Sequence, residues 1–108
     1  MQNVMKYEVI ATGEGETPTA ASTVRVHYHG TFINGDIFDS SVERGQPAEF
    51  PVGGVIAGWT EALQLMTEGS KWRLYVPYGL AYGERGSQGA IPPYATLIFD
   101  VELLSVVS

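Results

Sequence analysis

The chain has 108 residues, of which 44% are hydrophobic and 17% charged, so it can build the core of one domain and is unlike a disordered protein. Its formal net charge is −6 with 6 scattered basic residues, which argues against nucleic-acid binding. It has no cysteine, and this excludes disulfides, thiol nucleophiles and thiolate metal sites. No stretch approaches the ~18 consecutive apolar residues of a membrane helix.

The first half of the chain shows the alternation of β-strands. Lys6–Ala11 is rich in strand-forming residues and predicts a first strand. Over Thr23–Phe32, apolar or aromatic residues alternate with arginine and histidine, which indicates a half-buried strand. Asn34–Gly35 supplies the positive φ angles of a tight hairpin turn, so we expect an antiparallel return strand through Ile37–Phe38.

One segment near the middle changes to a helical period. Ser40–Pro47 is polar and predicts a loop, and Glu49–Val52 can form a short strand. Apolar residues then recur at helical spacing, which predicts a helix over about 57–66. Gly69 follows, and we expect it to cap the carboxyl end of this helix.

The last third supplies two more strands around a long loop. Lys71–Val76 and Leu97–Leu104 both alternate as half-buried strands do. Between them, Pro77–Tyr94 is rich in glycine and proline, and loops of this length inside a domain are usually functional. One-sided strands and a single helix predict an α+β fold, in which an antiparallel sheet wraps around the helix. We expect residues 1–108 to form a single domain.

Two histidines raise the question of metal binding or acid–base chemistry. His27 and His29 share one face of the predicted strand and could supply two ligands of a metal ion. A zinc site needs three or four protein ligands, and no third histidine or recognisably spaced acid accompanies them. A solvated strand face is the simpler interpretation, with metal binding as the alternative. No Gly-x-Ser-x-Gly motif occurs, so the sequence gives little support for a nucleophilic serine enzyme.

Three aromatic residues lie where they could line a pocket. Trp59 opens the predicted helix after a glycine, Tyr82 lies in the long loop, and Tyr28 stands two residues before Gly30 in a strand. All three could also pack in the core with their polar atoms satisfied there. Composition alone favours the second interpretation, in which these three residues pack in the core.

Five short motifs, read together, resemble one known family. In chain order they are V-H-Y-H-G at Val26–Gly30, F-D-S-S at Phe38–Ser41, V-I-A-G-W at Val55–Trp59, A-Y-G at Ala81–Gly83 and I-P-P-Y-A-T-L-I-F-D-V-E-L at Ile91–Leu103. Their order and content resemble the FKBP-type peptidyl-prolyl cis–trans isomerases over about Tyr7–Leu104. Gly45–Val52 and Gly58–Met66 look like the bacterial, Mip-like branch, whose members often carry an amino-terminal helical dimerisation domain. The chain resembles the catalytic domain alone.

The resemblance implies a five- or six-stranded antiparallel sheet curved around one short helix. It also implies an apolar pocket between sheet and helix that isomerises X-Pro bonds without a cofactor or a metal. Trp59 would form the floor, Asp39 would be the carboxylate at the rim, and the Ile56 N–H and the Tyr82 hydroxyl would bind substrate carbonyls. The implied catalytic residues are Tyr28, Phe38, Asp39, Trp59, Tyr82 and Phe99, and the implied substrate-binding residues are Val55, Ile56, Ile91, Phe50 and Arg44.

Three departures from the family pattern trim the rim of the implied pocket. Ala48 replaces an aromatic residue, the loop at Gly53–Gly54 is shorter, and Ser87 and Ala90 stand where bulkier residues often occur. They favour an alternative function, a binding module or chaperone that holds proline-containing segments with little turnover. Loss of rim contacts also leaves macrolide affinity open.

The resemblance also suggests partners and a location. Expected partners are proline-containing peptides, unfolded or folding proteins, and macrolide inhibitors of the rapamycin class, but neither nucleic acid nor membranes. We expect the domain to be monomeric and a longer parent protein to dimerise through a helical domain. We expect a cytoplasmic location, or a periplasmic one if an upstream segment has been removed.

Overall fold

Six strands form the framework of the protein in the computed structural model, which describes residues 5–87 and 90–108. The strands are β1 Lys6–Ala11, β2 Thr23–Phe32, β3 Ile37–Ser40, β4 Ala48–Pro51, β5 Lys71–Val76 and β6 Leu97–Val106. They pair antiparallel in the order β1-β5-β6-β2-β3, and β4 also pairs with β2. The predicted α+β fold, with a curved antiparallel sheet and one main helix, is confirmed.

The two longest strands lie at the centre and divide the sheet into two faces. Along β2, Val24, Val26 and Tyr28 are buried while Arg25 is exposed. Along β6, burial alternates in the same way from Leu97 onward. Successive side chains of a strand point to opposite faces, so the alternation in sequence becomes one apolar inner face and one polar outer face.

The main helix, α2, spans Ala57–Leu63 and packs on the inner face. Its buried residues include Trp59, Ala62 and Leu63. Gly58 allows a close approach between helix and sheet, because a Cβ at this position would lie 2.7 Å from Val76 Cγ1. The helix therefore depends on tertiary packing, as expected for two turns with no side-chain cap at the amino end.

The predicted carboxyl end of this helix was wrong. Beyond Leu63 the backbone tightens into turns, in which Leu65 N donates to Ala62 O (2.9 Å) and Met66 N to Leu63 O (3.3 Å). Met66 is fully buried, so the apolar period continues after the helix has ended. Gly69 has a φ of 93° but belongs to a separate turn before β5, and it does not cap the helix.

The segment predicted as a polar loop contains a second helix, α1, over Ser41–Arg44. The Ser40 side chain accepts a hydrogen bond from Glu43 N, and Gly45 ends the helix with a φ of 74°. Serine followed three residues later by glutamate is the signature of an amino-terminal capping box, and the signal was present in the sequence. A single turn is too short to show a helical period, which explains why periodicity missed it.

The hairpin between β2 and β3 also differs in detail from the prediction. The antiparallel return strand is confirmed. Of the Asn34–Gly35 pair, however, only Gly35 has a positive φ, at 94°. Gly35 N donates to Phe32 O (2.9 Å), and Phe32 N donates to Asp36 O (2.9 Å), so the loop is longer than a two-residue turn.

The other strands begin or end within one or two residues of the predicted positions. The fourth strand begins at Ala48 and ends at Pro51, because Val52–Gly54 forms a 3-10 turn, and the sixth extends to Val106. A second 3-10 turn, Tyr78–Leu80, opens the long loop. Within residues 5–87 and 90–108, no helix has the length and hydropathy needed to cross a lipid bilayer.

Candidate active site

An aromatic cluster surrounds Trp59, the third residue of α2. The Trp59 ring meets Tyr28, Phe50 and Phe99 edge-on, at centroid distances of 5.3, 5.5 and 5.2 Å. These partners come from β2, β4 and β6, so three strands converge on one residue of the helix. Trp59 is only 4% exposed, and its buried Nε1–H has no acceptor among the described residues. A buried donor without an acceptor lowers the stability of the folded state unless water or a ligand accepts its hydrogen bond.

A cavity of about 440 Å³ opens beside this cluster. Seven of the residues implied by the resemblance line it, together with Gly54 of the short loop. The lining residues are Tyr28, Asp39, Phe50, Gly54, Val55, Ile56, Trp59 and Tyr82. The cavity is mostly walled by aromatic and aliphatic side chains with one carboxylate, the usual composition of a small-molecule or peptide site.

Four other residues implied by the resemblance lie behind or beside this lining. Phe99 is buried beneath Trp59, and Phe38 meets Phe99 edge-on at 5.5 Å. Ile91 is 6% exposed and belongs to the core. Arg44 is exposed and contacts Tyr28 and Asp39.

Asp39 is the one carboxylate that the described residues contribute to the cavity lining, and each of its oxygens accepts a hydrogen bond. The Tyr28 hydroxyl donates to Oδ2 at 2.6 Å, and Arg44 Nη1 donates to Oδ1. Arg44 Nη2 also donates to the Tyr28 hydroxyl oxygen at 2.9 Å, with the guanidinium 5.6 Å from the Tyr28 ring centroid. The three side chains form a closed, charge-assisted network.

This network sets the protonation states at the cavity. Burial alone would raise the pKa of Asp39, but the hydrogen bonds from Tyr28 and Arg44 and the guanidinium charge together hold it below its ordinary 3.8. Burial, and then the bond to Asp39, raises the pKa of Tyr28 above its ordinary 10.0. Near neutral pH the cavity therefore contains a carboxylate and a neutral phenol.

Comparison with known proteins identifies the family and the fold. The family model described as FKBP-type peptidyl-prolyl cis-trans isomerase matches residues 14–104. The chain belongs to this family. The FKBP domain is 59% identical over 102 residues to the FKBP-type 22 kDa peptidyl-prolyl cis-trans isomerase of Escherichia coli strain K12, covering 94% of this chain and 50% of that protein. It is 51% identical over 106 residues to the peptidyl-prolyl cis-trans isomerase Mip of Coxiella burnetii, covering 98% and 46%.

Solved structures give the same result. FkpA from Escherichia coli superimposes with a TM-score of 0.91 at 50% identity, over 94% of this chain and 47% of that one. A peptidyl-prolyl cis-trans isomerase from Pseudomonas syringae gives 0.90 at 38% identity, over 100% and 80%. The FKBP domain spans about half the length of the curated relatives it matches. The Mip-like interpretation is confirmed by these relatives.

Two serines join β2 of the FKBP domain to the segment that carries Asp39. Ser41 Oγ accepts from Tyr28 N at 2.7 Å and lies 3.0 Å from His27 Nδ1. Ser40 Oγ lies 2.9 Å from His29 Nδ1. The histidines thus contact serine hydroxyls on the outer face, and within residues 5–87 and 90–108 no group of three or more potential ligands is placed to hold a metal ion. The sequence predicts a solvated face here, with metal binding by His27 and His29 as the alternative, and neither interpretation includes these contacts with serine.

The positions where the FKBP domain departs from the family pattern are spread around the site. Gly54 lines the cavity, and the 3-10 turn that contains it keeps the loop close to Pro51. Ala48 packs against the core, and Ser87 pairs by backbone hydrogen bonds with Ile91. The small residue at position 54 therefore has the most direct influence on the cavity.

Proposed function

We propose that the FKBP domain isomerises X-Pro bonds in the cavity over Trp59. The observation that carries the proposal is the combination of an aromatic floor and walls with a single, fully engaged carboxylate. The pyrrolidine ring would lie against Trp59, Tyr28 and Phe50, with Phe99 and Phe38 supporting the floor from behind. Edge-on aromatic packing fixes this surface before any substrate arrives.

Such a cavity favours the twisted amide over the planar one. Rotation about an X-Pro bond faces a barrier of ~18–20 kcal/mol, because twisting breaks the amide resonance. The planar amide has the larger charge separation, so transfer out of water into an apolar site disfavours it more than the twisted form. Removing ~5 kcal/mol of the barrier would accelerate exchange roughly 5,000-fold, at 1.36 kcal/mol per tenfold.

Hydrogen bonds from the rim would orient the substrate. Ile56 lines the cavity just before α2 begins, and its N–H is not used by any hydrogen bond among the described residues. Tyr82 also lines the cavity and is 42% exposed. We assign the Ile56 N–H and the Tyr82 hydroxyl to the carbonyls flanking the proline, with Val55 packing beside them.

Asp39 would act through its charge and its contacts rather than by proton transfer. Its oxygens already accept from Tyr28 and Arg44, and bond rotation requires no proton to leave the substrate. Arg44 holds Tyr28 and Asp39 in place, which is a supporting role in substrate binding. Ile91 would act in the same indirect way, by anchoring the long loop in the core.

The chemistry of the cavity also suggests which partners the domain takes. We propose proline-containing segments of peptides and of unfolded or folding proteins, and macrolides of the rapamycin class as competitors. Residues 1–108 would form one monomeric domain, and a longer parent would dimerise through a helical domain. We propose a cytoplasmic location, with a periplasmic one as the alternative. One relative, from Legionella longbeachae, is named outer membrane protein MIP, and this name favours the alternative.

A peptide assay with a competitor tests the proposal. The cis-to-trans exchange of an Ala-Leu-Pro-Phe peptide is followed with and without rapamycin. Acceleration that the macrolide abolishes would support turnover in the cavity. Macrolide binding without acceleration would instead support the trimmed-rim alternative, a binding module with little turnover. If neither acceleration nor binding occurs, the proposed site is wrong.

A further inference from the structure

A histidine on the outer face contacts the segment that carries the cavity carboxylate. His29 of β2 and Ser40 of β3 are directly paired across the two strands. The imidazole Nδ1 lies 2.9 Å from Ser40 Oγ. Ser40 immediately follows Asp39 in the chain, so this contact is made one residue away from the carboxylate.

The same serine hydroxyl begins α1. Ser40 Oγ accepts from Glu43 N at 3.2 Å and can donate to Tyr28 O at 3.4 Å. A hydroxyl has one proton and two lone pairs. If His29 Nδ1–H donates to Ser40 Oγ, the hydroxyl accepts twice and its proton remains free for the Tyr28 carbonyl. Every polar atom of the contact is then satisfied.

The helix that this serine caps carries Arg44 back to the cavity network. A four-residue helix has little stability of its own and depends on its caps and contacts. Arg44 is its last residue, and from there it donates to Asp39 and to the Tyr28 hydroxyl. The chain from Asp39 through Ser40 to Arg44 is therefore a closed loop, joined to the sheet at its start.

We propose that His29 is a positioning residue for the cavity. Through Ser40 it would fix the start of α1, and thereby hold Arg44 against Asp39 and Tyr28. This inference rests on the proposed function, since it assigns to His29 a supporting part in the same site. It uses the outer face of β2, opposite the inner face that carries the buried Tyr28.

The other charged groups near His29 do not replace this contact. Asp100 of β6 is its direct partner across the sheet, but the Asp100 carboxylate binds Arg73 of β5 at 2.7 Å. A groove of about 200 Å³ contains both histidines, and its lining residues are His27, His29, Val42, Lys71, Asp100 and Glu102. Ser40 is thus the hydrogen-bond partner that His29 has among the described residues.

A matched pair of variants tests the proposal. His29→Asn keeps an amide nitrogen as many bonds from the backbone as Nδ1, whereas His29→Gln moves it to the distance of Nε2. Both side chains are neutral and polar. Loss of one hydrogen bond changes an equilibrium or rate constant about fivefold. We therefore expect His29→Gln to lower kcat/KM for the peptide about fivefold and His29→Asn to keep most of the wild-type value. Thr31→Val, on the same face of β2, is the control and should change nothing.

A carboxyl titration gives a second readout that is independent of turnover. The 13C resonance of the Asp39 carboxyl is followed against pH in each folded variant by NMR. His29→Gln should raise the pKa of Asp39 toward its ordinary value, because Arg44 would be held less closely, and His29→Asn should not. If the wild-type domain shows no turnover, the proposed function fails and this titration alone decides the role of His29. Equal titrations in all variants, or equal loss of activity in His29→Asn and His29→Gln, would overturn the inference.

Discussion

The two tryptophans of the protein lie in the same core and have different surroundings. Trp59 is 4% exposed and Trp72 is 8% exposed, so burial does not distinguish them. Trp59 is held edge-on by three aromatic rings and lines a cavity. Trp72 of β5 is stacked under Tyr7 of β1, with centroids 4.5 Å apart and ring planes 4° from parallel.

This contrast indicates that an aromatic cluster forms a binding site where one of its faces is not covered by other side chains. The edge strand β1 lies beside β5 and places a ring on Trp72. At Trp59 the chain instead bends through Val55 and Ile56 into α2, and the space above stays open. Hydrophobicity alone would assign both tryptophans to the core, and for Trp72 that is the complete description.

The largest expected effect comes from replacing each tryptophan in turn. We expect Trp59→Leu to lower kcat/KM about 100-fold, about 2.7 kcal/mol of transition-state stabilisation, since the floor of the cavity is lost. Trp72→Leu should leave kcat/KM within about twofold but lower the free energy of unfolding by about 2–4 kcal/mol, because it opens a void in the core. Peptide exchange and urea unfolding measure the two quantities.

This pair of variants has a clear contradictory outcome. If Trp72→Leu, while folded, lowered kcat/KM as much as Trp59→Leu, the two regions would be coupled and the cavity would not be the distinguishing feature. Circular dichroism of each variant at the assay temperature is the control, because an unfolded fraction would mimic a loss of activity.

The next largest effect tests the layer behind Trp59. A Cβ at Gly30 would lie 2.6 Å from Phe38 Cζ and 3.0 Å from Phe99 Cε1. Gly30→Ala should therefore displace Phe38 and, through Phe99, the Trp59 floor. We expect kcat/KM to fall about tenfold and the free energy of unfolding to fall by about 1–3 kcal/mol. The stack of Tyr7 on Trp72 should be unaffected.

A second substitution checks that the effect comes from this clash. Phe38→Leu shortens the side chain that the new methyl group would meet. Gly30→Ala should consequently cost less stability in the Phe38→Leu background than in the wild type, a non-additivity expected of residues in contact. Equal costs in both backgrounds would mean that the effect arises elsewhere in β2.

The sequence predicted most of the fold because the central strands alternate cleanly. β2 and β6 show one apolar face each, and this patterning predicts which of their side chains point to the core. The end of α2 could not be predicted in this way, since Met66 is buried after the helix has ended. The spacing of apolar residues shows which positions are buried and not where the helix ends, and buried positions continue into the turn that follows α2.

The site was predicted less completely, for a geometric reason. Motifs brought together the lining residues, but a motif does not distinguish a side chain that lines a cavity from one that lies behind it, as Phe99 does. The position of Arg44 depends on α1, one turn that returns residue 44 to Asp39. The contacts of His29 depend on strand register, which short motifs do not encode.

A smaller effect should come from the charge that the Trp59 region has and the Tyr7–Trp72 stack lacks. Asp39→Asn keeps oxygen and nitrogen near Tyr28 and Arg44 but replaces charge-assisted hydrogen bonds by neutral ones, a difference of about 1 kcal/mol. We expect kcat/KM to fall about fivefold at pH 7. A loss of less than twofold would mean that the charge of Asp39 has no part in the reaction.

The same variant has a defined pH dependence. The pKa of Asp39 is lower in the folded protein than its ordinary 3.8, so its contribution to stability is complete above that value and is lost as the pH falls through the folded-state pKa. The stability difference between wild type and Asp39→Asn should be constant from about pH 5 to 8 and shrink below about pH 4. Urea unfolding at several pH values measures it, and a difference that grew in acid would contradict the assigned direction.

The smallest effect on activity is expected where the two regions differ most, at the ring that covers Trp72. Tyr7→Ala removes a stacked aromatic partner from an edge strand, so the free energy of unfolding should fall by about 1 kcal/mol, while kcat/KM should stay within about twofold. Tyr7→Phe keeps the stacked ring and is the matched control, expected to match the wild type in both measurements. Thermal unfolding and peptide exchange on the same samples compare them. A large loss of activity in Tyr7→Ala alone would show that the cover on Trp72 supports the cavity over Trp59, and the contrast between the two tryptophans would then be one of degree.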